Sequence, residues 1–208
     1  MNGNELAERR LMPRLRDRIA RALGPAGVFF RGFLENPRMV GAIVPSSSFT
    51  VKAMLEPVDW ANTKLFVEYG PGVGTFCQPV LDRLPRDGDL LVIDTNPMFI
   101  DYLRKTFTDS RFHAVLGSAE DVEDIVRSIG HEKADYILSG MPFSTLPEGV
   151  GPAIAAATAR IIRKGGAFLT YQYTGSARDL TARHFPRVTS SYVLANLPPC
   201  VLAWGWQD

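Results

Sequence analysis

Val67-Glu68-Tyr69-Gly70-Pro71-Gly72-Val73-Gly74 is the stretch whose reading settles the fold class. A short β-type run, residues 64–67, precedes it, and a helical pattern over residues 75–84 follows. Strand, glycine turn and helix open a nucleotide-binding βαβ unit. Gly70 and Gly72, with Pro71 between them, let the chain turn tightly and let a ligand approach bare backbone. The expected helix aims its free N–H groups at that ligand. A dinucleotide fingerprint needs its third glycine at position 75, where Thr75 stands; here the third glycine is Gly74. Glu68, two residues before the first glycine, is a poor neighbour for a pyrophosphate and suits a ligand with a positive group. Taken alone, the run also fits a glycine-rich turn that holds nothing.

Toward the C-terminus the pattern repeats. Residues 89–93 read as a second strand ending at Asp94, about 20 residues past the glycines, where such folds hold ribose hydroxyls. Thr95-Asn96-Pro97 opens a helix whose inward side is Phe99, Tyr102, Leu103 and Phe107. A third strand, 112–116, runs into Gly117-Ser118-Ala119-Glu120-Asp121. Ser118 caps a helix over 120–129, and an acid at this edge can accept a base's amino group. Strand four, 134–138, is followed by Ser139-Gly140-Met141-Pro142-Phe143-Ser144, again at the carboxyl edge where ligands lie. A helix over 150–163 should stop at Lys164-Gly165-Gly166, followed by a fifth strand, 167–172, with Tyr173 at its tip. A short helix, 177–184, leads to two last strands, 188–194 and 200–206, with a hairpin at 196–199. The fold class is α/β.

Toward the N-terminus, Ser46, Ser47 and Ser48 precede a helical stretch at 49–55. One serine serves as an N-cap; three hydroxyls at a helix start also make a phosphate or carboxylate site. Helices are expected over 13–23 and 25–35. In the first, Leu15, Ile19, Ala22 and Leu23 share one side and Arg14, Arg18 and Arg21 lie beside them; Arg10 and Leu11 extend both rows. Such a helix either docks on its own domain or lies on an anionic bilayer, guanidinium groups among the lipid phosphates. In the second, Phe29, Phe30, Phe33 and Leu34 are core, or line an acyl-chain groove.

The 208 residues suffice for one α/β domain with a real core. The net charge of +1 argues against a nucleic-acid partner for the chain as a whole. Residues 1–35 hold seven arginines against four acids, so the basic excess is N-terminal and the remainder is slightly acidic. Cys77 and Cys200 have no metal-ligand spacing and read as thiols in a reducing cytosol. No apolar run reaches the roughly 20 residues of a spanning helix, and the N-terminus is too charged for a signal peptide. A cytoplasmic protein with no metal is expected; oligomeric state leaves no trace in the sequence.

Over roughly residues 40–208 the pattern resembles the class I S-adenosylmethionine-dependent methyltransferases. The E-x-G-x-G-x-G run from Glu68 to Gly74, the strand-two acid Asp94 and Ala119-Glu120 stand in that superfamily's order. Within it, the bacterial phospholipid N-methyltransferases are more similar than the related ribosomal RNA adenine dimethyltransferases. The lipid enzymes tend to have a basic amphipathic N-terminal helix, an A-x-x-P-S-S segment and a G-L-P-type loop. Here these are residues 10–23, Ala42-Ile43-Val44-Pro45-Ser46-Ser47 and Gly140-Met141-Pro142. The adenine enzymes open the last loop with Asn or Asp, where this chain has Gly140, and they carry a basic extra domain absent here.

The resemblance implies a Rossmann-like, seven-stranded, mostly parallel sheet with an antiparallel last strand, residues 37–208, preceded by amphipathic membrane-associating or lid helices, residues 1–36. It implies S-adenosylmethionine as cofactor and S-adenosylhomocysteine as product. Glu68, Gly70, Pro71, Gly72, Gly74, Asp94, Thr95, Ser118, Ala119, Glu120, Ser139, Gly140 and Met141 would bind it. The expected reaction is N-methylation of phosphatidylethanolamine toward phosphatidylcholine at an anionic membrane surface. Peripheral association with the inner face of the cell membrane follows, through Arg10, Arg14, Arg18 and Arg21. Ser46 and Ser47 would hold the lipid phosphate, and Phe143 and Tyr173 would face the methylated ammonium through cation–π attraction. Phe143 reads equally well as packing. Tyr173, Glu68 and an ordered water stand as general bases. An ornithine lipid, a small soluble amine or an rRNA adenine are the other acceptors, and a cofactor-binding scaffold without chemistry is the reading from another class.

Overall fold

A computed structural model of the chain describes residues 48–172, 175–193 and 200–208. All of them lie in the larger of two contact units, Ile43–Asp208. The helices expected at 13–23 and 25–35 and the hairpin at 196–199 lie outside the described residues, and the boundary expected at residue 36 is not tested by them.

In chain order the elements are α1 (Ser48–Leu55), β1 (Leu65–Tyr69), α2 (Cys77–Leu81), β2 (Asp89–Asp94), α3 (Pro97–Thr106), β3 (Phe112–Leu116), α4 (Val122–Ser128), β4 (Ala134–Ser139), α5 (Val150–Ile161), β5 (Ile162–Gln172), α6 (Ser176–Thr181), β6 (Arg187–Val193) and β7 (Cys200–Trp206). The seven strands form one sheet in the order β3-β2-β1-β4-β5-β7-β6. β1 through β5 are parallel, and β7 inserts antiparallel to both β5 and β6. This is the expected Rossmann-like topology. Its order reverses between β1 and β4, and open α/β sheets bind ligands at such a crevice.

β1 and β4 are buried at every position, because helices cover both faces of a parallel sheet. Alternate residues serve opposite faces. Phe66 joins Leu90, Val92 and Leu138 under α1, α2 and α3. Leu65, Val67 and Tyr69 join Leu91, Ile93 and Ile137 under α4, α5 and α6. The amino edge is pinned by Asp135, which is 5% exposed. Its carboxylate accepts from the N–H groups of Lys64 (2.7 Å) and Leu65 (2.8 Å) and pairs with the Arg163 guanidinium.

Among the boundaries that differ from expectation, two have a plain physical reason. The expected helix over 75–84 begins only at Cys77 and ends at Leu81. Gly70, Gly72 and Gly74 all take positive φ (62°, 55° and 80°), so the chain is still turning where helix was expected. The turn after β1 is therefore glycine backbone rather than a helix start. Residues 161–166 also break the reading. The helix ends at Ile161, and β5 is already extended at Ile162, paired with Ala134. What looks like a glycine stop lies inside the strand. Gly166 passes so close to the Asp135 carbonyl that a Cβ would sit 2.2 Å from it.

Candidate functional site

The loops that leave β1, β2 and β3 are stitched to one another at the carboxyl edge. The Gly70 N–H donates to the Ile93 carbonyl (2.9 Å), and the Gly117 N–H to the Asp94 carbonyl (3.0 Å). The glycines are demanded by packing as well as by φ. A Cβ on Gly70 would lie 2.9 Å from Met141 Cγ, and one on Gly74 within 2.8 Å of Leu103 and 2.9 Å of Phe107. Gly70 thus brings the β1 loop against the β4 loop, across the reversal point of the sheet.

Two carboxylates face this edge. Glu68 sits on β1 between Val92 of β2 and Leu138 of β4 and is 2% exposed. Its Oε2 lies 3.7 Å from Cys77 Sγ of α2, which donates to it. Burial pushes the carboxyl up to about 8; the thiol's hydrogen bond opposes this and the nearby Asp94 charge adds to it. The Cys77 thiol is driven well above its ordinary value, first by burial and then by Glu68, so it stays an S–H donor. Asp94, at the end of β2, accepts from the Asn96 N–H (2.8 Å). Burial raises its pKa, opposed by the backbone N–H groups of Asn96, Gly72 and Thr95. Among the described residues neither acid has a lysine, arginine or histidine partner. Buried negative charge without a counter-ion is costly, so this edge is chemically incomplete in a way that a cationic ligand would complete.

The β3 loop forms the next wall. Ser118 Oγ accepts from the Glu120 N–H (3.2 Å) and lies 3.3 Å from the Glu120 carboxylate; Ala119 is buried beneath them and Glu120 is exposed. Thr95 is exposed at the β2 tip, whereas Pro71 and Gly72 are buried.

On the β4 side, Ser139 is fully buried and accepts from the Met141 N–H (3.2 Å). Gly140 has no room for a side chain: a Cβ would lie 2.3 Å from the hydroxyl of Tyr171. The Tyr171 ring rests on Phe76 of the glycine loop (5.1 Å), and the Gln172 amide donates to the Met141 carbonyl. Tyr171 and Gln172 read in the sequence only as positions of the strand 167–172; their place at this site comes from contacts with Gly140 and Met141, which no local pattern signals. Phe143 is 8% exposed and meets Phe168 edge to face at 6.3 Å. Its packing role is therefore evident, and it also borders a groove of about 410 Å³ with Leu146, Glu148, Leu180 and Arg183. Tyr173, Ser46, Ser47, Arg10, Arg14, Arg18 and Arg21 lie outside the described residues.

No protein-family model matches the chain. An ornithine lipid N-methyltransferase of Singulisphaera acidiphila is 26% identical over 178 residues, 83% of this chain and 91% of that protein. Among solved structures, a precorrin-6y C5,15-methyltransferase from Geobacter metallireducens superposes with a TM-score of 0.65 at 15% identity, over 80% of this chain and 93% of that one. The N-methyltransferase NodS from Bradyrhizobium japonicum, in complex with S-adenosyl-l-homocysteine, gives 0.57 at 13% identity, over 74% of this chain and 81% of that one. The described domain has the fold of the class I methyltransferases.

Proposed function

We propose that the protein binds S-adenosylmethionine at the Gly70–Gly74 turn and transfers its methyl group to the amine of a membrane lipid headgroup. The observation that carries the cofactor half is the buried, cation-free Glu68 beside Asp94. Glu68 would face the ammonium-bearing end, Asp94 the ribose, and Ser118-Ala119-Glu120 the base. The Gly70 and Gly72 backbone would border the chain between them. When bound, the cofactor supplies an activated methyl on a sulfonium. What the protein must add is a neutral amine held in line with it, and positioning of this kind provides most of the acceleration.

The acceptor half rests on the β4 and β5 loops. Phe143 follows two residues after Met141, which touches Gly70, so the groove at Phe143 begins within roughly 10 Å of the cofactor turn. Phe143, Leu146 and Leu180 give the groove an apolar side for an amphiphile, and Arg183, which shares the lining with the acids Glu148 and Asp179, would meet that amphiphile's anionic group. The Tyr171 hydroxyl fills the place of a Gly140 side chain and would orient the amine. An amine arriving as an alkylammonium must shed a proton, and a desolvated pocket lowers the cost of doing so. Tyr173 as its phenolate, or an ordered water, is the proposed acceptor of that proton. The likeness to an ornithine lipid N-methyltransferase puts ornithine lipid ahead of phosphatidylethanolamine as first acceptor. Contact with the bilayer is proposed through Arg10, Arg14, Arg18 and Arg21; no helix among the described residues is long and apolar enough to cross a membrane.

The test is transfer of a radiolabelled methyl group to vesicles holding ornithine lipid, phosphatidylethanolamine or neither, with a soluble ethanolamine arm. Label in the lipid fraction of the first or second arm is expected. Label only in the soluble arm, or in none, overturns the lipid acceptor.

A further inference from the structure

Glu68 is the most deeply buried carboxyl at the candidate site, 2% exposed, and its surroundings are lopsided. Cys77 from α2 is its hydrogen-bond partner, at 3.7 Å. Asp94 from β2 is the other titratable group facing it. Its neighbours in the sheet are Val92 and Leu138, and α3 contributes Leu103 and Phe107 against the same turn. No cation comes from any of these elements. A carboxylate so placed is far costlier than a carboxylic acid.

We infer that Glu68 is carried neutral in the free protein, gives up its proton to solvent when a cationic cofactor lands, and is then held as a carboxylate by the ligand's charge and the S–H of Cys77. The inference rests on the cofactor reading above and adds what it lacks: binding and ionisation are a single coupled event, and Cys77 is a positioning residue for it. The upward shift of Glu68 agrees with this order of events. That of Cys77 means that the thiol, rather than a thiolate, faces the acid.

The coupling has a definite sign. Only the ionised fraction of Glu68 is competent, so affinity rises with pH while that fraction grows and flattens once it is complete. Between pH 6 and 7.5, where the ligand's own ammonium stays charged, affinity for S-adenosylhomocysteine should gain close to tenfold per pH unit. Titration calorimetry of the full chain, repeated in buffers of different ionisation enthalpy, counts the protons directly. Close to one proton released per ligand near pH 6.5 is expected. Glu68→Gln should bind more weakly, with no release and no pH slope. Cys77→Val should keep the slope but bind several-fold more weakly, and Cys77→Ser, which restores a donor, should recover most of that loss.

Binding without proton release, or a slope that survives Glu68→Gln and vanishes in Asp94→Asn, overturns the coupling while leaving the cofactor reading intact. No binding by the wild-type chain at any pH overturns the cofactor reading instead. The wild-type measurement needs no variant, so a poorly folding substitution does not shelter the inference.

Discussion

Two buried acids sit at opposite ends of the same sheet and are treated in opposite ways. Asp135, at the amino edge, receives two backbone N–H groups and a guanidinium. Glu68, at the carboxyl edge, receives one thiol. Both are on central strands, and both are shut off from water, at 5% and 2% exposure. Their difference lies in partners alone. Among the described residues the fold completes the partners of the first acid and leaves those of the second open, which is the contrast on which the proposed cofactor role of Glu68 rests.

The largest effect should come from removing the completed one. Asp135→Ala leaves the Lys64 and Leu65 N–H groups that start β1 without their acceptor and takes away the partner of the partly exposed Arg163, and two unsatisfied N–H groups of this kind cost about 3–5 kcal/mol together. Urea unfolding measures it. A loss below about 1 kcal/mol would dissolve the contrast, because Asp135 would then be as idle as Glu68.

The open acid predicts the reverse sign. A carboxyl whose folded pKa is raised binds protons more tightly folded than unfolded, so its contribution is fully favourable below about 4.5 and is lost as pH rises through about 8. Stability of the ligand-free protein should therefore fall across that window, on the order of 4 kcal/mol in total. Glu68→Gln should flatten this slope and leave the protein more stable at pH 8 than the wild type. Equal pH profiles for the two proteins would mean that Glu68 ionises freely in the fold.

How much of this contrast was legible in the sequence follows from the range of each interaction. Glu68, the three glycines and Asp94 could be read because strand alternation and turn chemistry are local. The α/β alternation likewise carried the parallel sheet, whereas its antiparallel closure came only with the resemblance to the methyltransferases. Cys77, read as an ordinary thiol, acquires its role by a contact across nine residues. Asp135 meets Lys64 across 71 residues. Gly140 and Tyr171 share one space from two different strands. No pattern in a single chain carries these distances. The helix expected at 75–84 is shortened to Cys77–Leu81 because the turn that carries Gly70, Gly72 and Gly74 runs on to residue 76, which helical periodicity does not register. The helix expected to reach residue 163 stops at Ile161 because the packing of Gly166 on Asp135 belongs to a strand rather than to the glycine stop that Lys164-Gly165-Gly166 suggests.

The glycines sharpen the comparison at the next scale down. Gly74 and Gly149 have nearly the same φ, 80° and 85°. A Cβ on Gly74 collides with Leu103, Phe107 and Cys77, whereas one on Gly149 meets nothing within 4 Å. Gly149→Ala should cost about 1 kcal/mol, the strain of the backbone alone. Gly74→Ala should cost about 2–4 kcal/mol, since overpacking adds to that strain, and it should also shift Cys77 against Glu68. Equal losses in thermal unfolding would show that backbone strain, not the crowding under the candidate site, sets the requirement for glycine.

The smallest effect belongs to an acid whose partners are left in water. Glu123 on α4 meets Arg160 of α5 at 2.7 Å and Arg127 at 3.6 Å, so by distance it is as well paired as Asp135. Those arginines, however, are 62% and 58% exposed. Solvent screens the attraction, and holding long side chains in place costs entropy. Glu123→Gln should therefore lower stability by less than about 1 kcal/mol, and half-molar salt should shrink even that. Salt should leave the Asp135→Ala loss nearly untouched. If the two variants responded alike to salt, partner geometry rather than burial would govern these acids, and the cation-free state of Glu68 would lose its meaning as a sign of a missing ligand.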